Sequence, residues 1–277
     1  MAPKFTRIAE QISGNFAAKK TPGFDFTRRE FCSAAASALA GLTVAPACAM
    51  GAGSQDAGAA RLTARPKAGV ATTATGSRKL GLDTGRDAIL QMPANPGTAP
   101  LPLLVLLHGA SGTAERQLAR FGSIPSNAGI VILAPDSRGQ TWDAIRPVGF
   151  GPDVSFINRA LTRVFELVTI DPGRITIGGF SDGATYALSL GLLNGDLFSR
   201  ILAFSPGFVV NGPPNGKPRV FVSHGTRDDV LPIDRCGRVI AAQLKRGGYD
   251  VTYREFDGGH EVPTAIATEG MKWAARV

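Results

Sequence analysis

Ile177-Gly178-Gly179-Phe180-Ser181-Asp182-Gly183-Ala184 is the stretch from which the rest of the chain can be read. From Gly179 to Gly183 it spells Gly-x-Ser-x-Gly. The β-branched run Arg174-Ile175-Thr176-Ile177 precedes it and reads as a short buried strand. Ala184 to Leu193 follows and reads as a helix. Strand, sharp turn and helix is the setting that lifts a serine hydroxyl above a sheet. Glycine at both ends of the turn tolerates its unusual backbone and the close approach of neighbouring chain. The hydroxyl then lies at a helix start, where the dipole and free N–H groups favour negative charge.

Outward from this turn, apolar runs alternate with helical patterns. Arg86 to Pro93 suggests an early strand, paired with Arg78 to Leu82 across the Asp83-Thr84-Gly85 turn. Leu103 to Leu107 is a continuous apolar run, short enough for a strand covered on both faces. Ala114 to Ala128 reads as a helix that Pro125 interrupts. Ile130 to Pro135 is the next strand, and Asp153 to Leu167 carries a helical apolar face. Arg200 to Phe204, Val220 to Gly225 and Val251 to Phe256 supply three further strands. Helices are expected over Asp234 to Arg246 and over the last residues to about Ala275. The alternation predicts an α/β fold built on a mostly parallel, doubly wound sheet with helices on both faces.

Three loops after strands carry the chemistry. Ser181 needs a base, because a serine hydroxyl is a poor nucleophile at neutral pH. The chain has three histidines, and His260 alone sits in a glycine-flanked loop after the last strand, so it is the expected base. The base needs a carboxylate to hold its tautomer, and Asp228 and Asp229 both follow a late strand. His108-Gly109-Ala110-Ser111-Gly112 follows the central strand, so the N–H of Ala110 or Ser111, with that of Asp182, is the expected oxyanion-binding pair. His108 itself reads as a buried support for that loop. Trp142 and Arg138, in the loop after the strand ending at Pro135, are candidates for substrate contact, since loops at strand C-termini line crevices in open sheets.

The order Ser181, Asp228, His260 resembles that of α/β-hydrolases. His224-Gly225-Thr226-Arg227-Asp228-Asp229-Val230-Leu231-Pro232 resembles the His-Gly-x-x-Asp-x-x-x-Pro stretch of the phospholipase/carboxylesterase branch, and this resemblance implies that the acid is Asp228. Leu107-His108-Gly109, the Gly179–Gly183 turn and Gly259-His260 resemble the same branch. The turn and Asn194-Gly195-Asp196-Leu197-Phe198 are also similar to secreted polyhydroxybutyrate depolymerase-like esterases. The resemblance covers about residues 85–275 and implies an α/β-hydrolase fold and a serine esterase. It leaves open a peptidase or amidase on the same fold, or an inactive binding protein. One departure stands out: Asp182 occupies a position where the branch often has glutamine.

The net charge of +8 is unevenly spread. Residues 1–80 hold 11 Lys/Arg against 4 Asp/Glu, and residues 81–277 hold 19 against 18. The body is nearly neutral, which argues against a nucleic-acid partner. No histidine pairing at metal-site spacing and no Gly-x-Gly-x-x-Gly after a strand is present, so neither a metal nor a dinucleotide cofactor is expected.

The basic excess belongs to a leader. Arg28-Arg29 before the alanine-rich run Phe31 to Ala49 resembles a twin-arginine export signal over residues 1–49, so the export machinery is an expected partner. Ala45-Pro46-Ala47 and Ala47-Cys48-Ala49 both fit the small-x-small cleavage rule. Cleavage before Cys48 would make it a lipid-anchor candidate, although Ala45 replaces the usual leucine. Residues 50–78, rich in Gly, Ala, Thr and Ser, are expected to be a flexible linker, leaving 79–277 as the catalytic domain. Only Cys236 lies in that domain, so no disulfide is available within it.

Overall fold

The computed structural model describes residues 58–146, 149–210 and 212–276. Eight strands form one sheet in the order β1-β2-β4-β3-β5-β6-β7-β8. They are β1 (Ser77–Lys79), β2 (Ala88–Gln91), β3 (Leu101–Leu107), β4 (Val131–Pro135), β5 (Ile170–Phe180), β6 (Arg200–Phe204), β7 (Arg219–Gly225) and β8 (Val251–Phe256). β1 and β2 are antiparallel to their neighbours, and the remaining pairs from β4 to β8 are parallel. The hairpin expected across Asp83-Thr84-Gly85 is the β1–β2 pair, with Ser77 opposite Gln91.

The continuous apolar run of β3 is buried at every position, as a central parallel strand requires. Its side chains alternate between two cores. Leu103, Val105 and Leu107 face the helices α3 (Pro152–Leu167), α4 (Asp182–Leu193) and α5 (Gly237–Arg246). Leu104 and Leu106 face α1 (Ala114–Phe121), α2 (Ile124–Asn127) and α6 (Thr264–Ala275). Pro125 divides the helix expected over 114–128 into α1 and α2, taking an early position of the second. α5 begins at Gly237, three residues later than its polarity pattern suggests.

The linker expected over 50–78 is corrected over its described part. Ala60, Leu62, Ala64 and Ala74 are buried. Asn194 Oδ1 accepts the Leu62 N–H at 2.9 Å, and its Nδ2 donates to the Ala60 carbonyl at 2.8 Å. Asn158 Oδ1 accepts the N–H groups of Thr63 and Ala64 at 2.8 and 2.9 Å. Two asparagines on the body thus fix an irregular strap, which has no apolar period for a sequence reading to detect. The expected export signal, its cleavage sites and Cys48 lie outside the described residues.

Candidate active site

The turn after β5 has the backbone its sequence demands. Ser181 has φ 59° and ψ −123°, a conformation that costs about 1–3 kcal/mol in a non-glycine residue. A Cβ on Gly179 would stand 2.6 Å from the Leu107 carbonyl oxygen, and one on Gly183 would overlap that same oxygen. The end of β3 therefore passes too close to this turn for any side chain there. The Ser181 N–H is held by the Phe204 carbonyl at 3.0 Å. Its hydroxyl is left at the start of α4, beside Gly109.

Ser181 Oγ lies 2.8 Å from His260 Nε2, and His260 Nδ1 lies 2.7 Å from Asp228 Oδ2. An ionised carboxylate only accepts, so Nδ1 carries the ring proton and Nε2 is left to accept from the serine. The imidazole also packs on Phe180, with ring centroids 4.8 Å apart. Asp229, the other acid considered, is exposed, whereas Asp228 is buried.

Asp228 is clamped from two sides. Its Oδ1 accepts the N–H groups of Val230 and Leu231 at 3.0 and 2.8 Å. Its Oδ2 faces His260 and, at 3.2 Å, His224 Nε2. Burial works against its charge, but hydrogen bonds from both histidines and the Leu231 amide outweigh it and hold the carboxyl well below the ordinary range. His224 escaped the sequence reading as a site residue, although it stands four positions before Asp228 in the stretch already quoted.

The loop after β3 differs in one respect from the expectation. The Ser111 N–H donates to the Gln140 carbonyl at 2.7 Å, so this amide is already engaged. Of the two candidates, Ala110 remains, lining the cleft with Ser181, and it is complemented by the Asp182 N–H in the first turn of α4. His108 supports the loop from beneath: its Nε2 accepts the Ser137 N–H at 3.0 Å, and its Nδ1 lies 2.7 Å from the Gly109 carbonyl. Burial pushes its pKa down, which keeps it neutral. The Asp182 carboxyl is buried and accepts from the Thr141 hydroxyl at 2.5 Å. Burial pushes its pKa up, against the Thr141 hydrogen bond and the nearby imidazole.

Neither proposed substrate contact lines the cleft. Trp142 is fully buried, stacks on Tyr186 at 5.2 Å and donates to the His108 carbonyl at 2.9 Å. A large ring with one N–H is best satisfied in this way inside a protein. Arg138 pairs with Asp83 at 2.9 Å and lies 3.6 Å over the Phe156 ring. Both residues brace the loop after β4. Asp143 and Asp153 brace it further: Asp153 accepts the N–H groups of Arg138 and Asp143, and Asp143 accepts the Asp153 N–H and the Tyr186 hydroxyl. Burial, with the neighbouring Asp143, pushes the Asp153 pKa up to about 6 against those amide hydrogen bonds.

The cleft above Ser181 has a volume of about 360 Å³. The loop after β3, α1, Phe180, Val230 and His260 enclose it.

Residues 154–269 match the sequence model of the phospholipase/carboxylesterase family. The "Putative esterase NocK" of Nocardia uniformis subsp. tsuyamanensis is 27% identical over 184 residues, 61% of this chain and 52% of that protein. The acyl-protein thioesterase 1 of Gibberella zeae is 33% identical over 101 residues, 33% of this chain and 43% of that protein. The chain thus spans about half, or less, of the length of these curated relatives. Among solved structures, esterase PE8 superposes with a TM-score of 0.53 at 22% identity, covering 66% of this chain and 95% of that one. An S-formylglutathione hydrolase from Agrobacterium tumefaciens superposes with a TM-score of 0.53 at 18% identity, covering 74% and 97%. Both likenesses are in fold.

Proposed function

We propose that this chain, which has an α/β-hydrolase fold and whose residues 154–269 match the phospholipase/carboxylesterase family, is a serine esterase working through Ser181, His260 and Asp228. One observation carries the reading: the His260 ring is held at both nitrogens, by the Ser181 hydroxyl at 2.8 Å and the Asp228 carboxylate at 2.7 Å. The Ser181 oxygen attacks the ester carbonyl carbon as its proton passes to His260 Nε2. The carbonyl oxygen takes the negative charge and is met by the N–H groups of Ala110 and Asp182. His260 returns the proton to the departing alcohol, leaving an acyl-serine. Water then gives its proton to Nε2 and attacks the acyl carbon, and Ser181 recovers the proton as the acid leaves. Asp228 stays ionised throughout and stabilises the imidazolium. The strongly lowered pKa of its carboxyl supports that role.

We assign the same protein to an exported class, on the Arg28-Arg29 leader and its small-residue cleavage sites. The test is labelling of the mature protein with a fluorophosphonate, followed by turnover of 4-nitrophenyl esters of graded length. Labelling at Ser181 with turnover of at least one ester is expected. Labelling elsewhere refutes the site. Recovery of the full-length chain in the cytoplasm, with its leader intact, refutes the export assignment.

A further inference from the structure

One wall of the cleft is basic. Arg116 and Arg120 stand four residues apart on α1, on one face of that helix, and both line the space above Ser181. Arg120 is held in place: its guanidinium lies 4.3 Å over the Phe180 ring, which also packs against the His260 imidazole. Among the described residues neither guanidinium makes an ion pair. Of the other seventeen described arginines nine do, Arg138 and Arg238 among them. No carboxylate lines the cleft. Three nearby acids are committed elsewhere: Asp228 to the two histidines, Asp182 to Thr141, and Glu115 on α1 to Lys79 at 3.2 Å. Val230, 45% exposed, gives the rim an apolar side.

Two uncompensated guanidinium groups beside a nucleophile are matched by a negative group on what the nucleophile attacks. We infer that the substrate is an ester carrying a carboxylate, which Arg116 and Arg120 hold while the apolar part rests on Phe180 and Val230. This rests on the esterase reading and narrows it to a substrate class. The planar donor fork of arginine suits a carboxylate, and such charge-assisted hydrogen bonds strengthen in a partly desolvated cleft.

The test compares matched esters that differ in charge. 4-Nitrophenyl hemiadipate is set against 4-nitrophenyl hexanoate for a charge on the acyl side. 3-Carboxyphenyl acetate is set against 3-carbamoylphenyl acetate for a charge on the alcohol side. In at least one pair the anionic member is expected to have a kcat/KM about tenfold or more above its neutral partner. That ratio should fall towards unity in R116Q/R120Q, stay above unity in R116K/R120K, and shrink with added salt. Equal rates within both pairs, with the neutral esters still turned over, overturn this inference and leave the esterase standing. Failure of every ester, with no fluorophosphonate labelling of Ser181, overturns both. A ratio that survives R116Q/R120Q in a folded protein overturns the assignment to these two residues.

Discussion

His224 Nε2 lies 3.2 Å from Asp228 Oδ2, the same oxygen that His260 Nδ1 reaches at 2.7 Å. The same nitrogen lies 2.7 Å from the Leu231 carbonyl, which fixes the proton on Nε2. His224 is therefore a positioning residue: it holds the turn that carries the acid. In H224A, kcat and kcat/KM are expected to fall together by about tenfold, with KM little changed, because the loss concerns orientation in the transition state. H224Q, which restores a donor, should recover part of the rate. An unchanged kcat in folded H224A would remove His224 from the reaction.

The two adjacent acids should separate cleanly. D228N should lose about 10³- to 10⁴-fold in kcat, since the imidazole loses the partner that sets its tautomer. D229N, at an exposed position one residue on, should change kcat by less than about threefold. Steady-state rates on one 4-nitrophenyl ester decide between them.

Gly183 tolerates no side chain. The Cβ of G183A would overlap the Leu107 carbonyl oxygen, and backbone cannot move aside as the end of a flexible side chain can. The variant should unfold earlier by about 2–4 kcal/mol, and its surviving folded fraction should label poorly with fluorophosphonate. Urea unfolding of G183A beside the parent chain measures this.

Two buried carboxyls act on stability in opposite directions. Asp153, raised to about 6 in the folded chain, keeps its proton where the unfolded chain, near 3.9, has released it. Stability contributed by this group is thus present at low pH and is lost as pH rises from about 4 to 6, by up to about 3 kcal/mol. D153N should flatten that slope whatever its effect on absolute stability. Asp228 is depressed instead, so its contribution is present above about pH 4 and fades as the solution becomes more acidic. Unfolding midpoints at several pH values between 4 and 7 for the parent chain and D153N test the first sign, and the decline below pH 4 tests the second.

The fold was legible because its evidence is local. A run such as Leu103–Leu107, or the glycines around Ser181, declares burial or turn without reference to distant residues. The strand-end loops could be placed for the same reason. What escaped depends on contacts between distant residues. Trp142 and Arg138 sit in a loop at the right end of the sheet, yet Tyr186, Asp83 and Phe156 draw them into packing and ion pairs. Ser111 was as good a donor as Ala110 until Gln140 took its N–H. The strap from residue 58 depends on two asparagine side chains, Asn158 and Asn194, about a hundred residues away in sequence. The basic wall went unread because Arg116 and Arg120 look like any solvated helix face until Phe180 is placed beside them.

That strap sets a direction for the whole molecule. Arg61 donates to the Leu193 carbonyl at 2.6 Å, and Asn194 holds Ala60 and Leu62, so the strap is tied down where α4 ends. Ser181 is at the opposite end of that twelve-residue helix, about 18 Å away along its axis. A surface, bead or fusion partner joined at residue 58 would thus sit at the far end of that helix from Ser181 and leave the mouth of the cleft open.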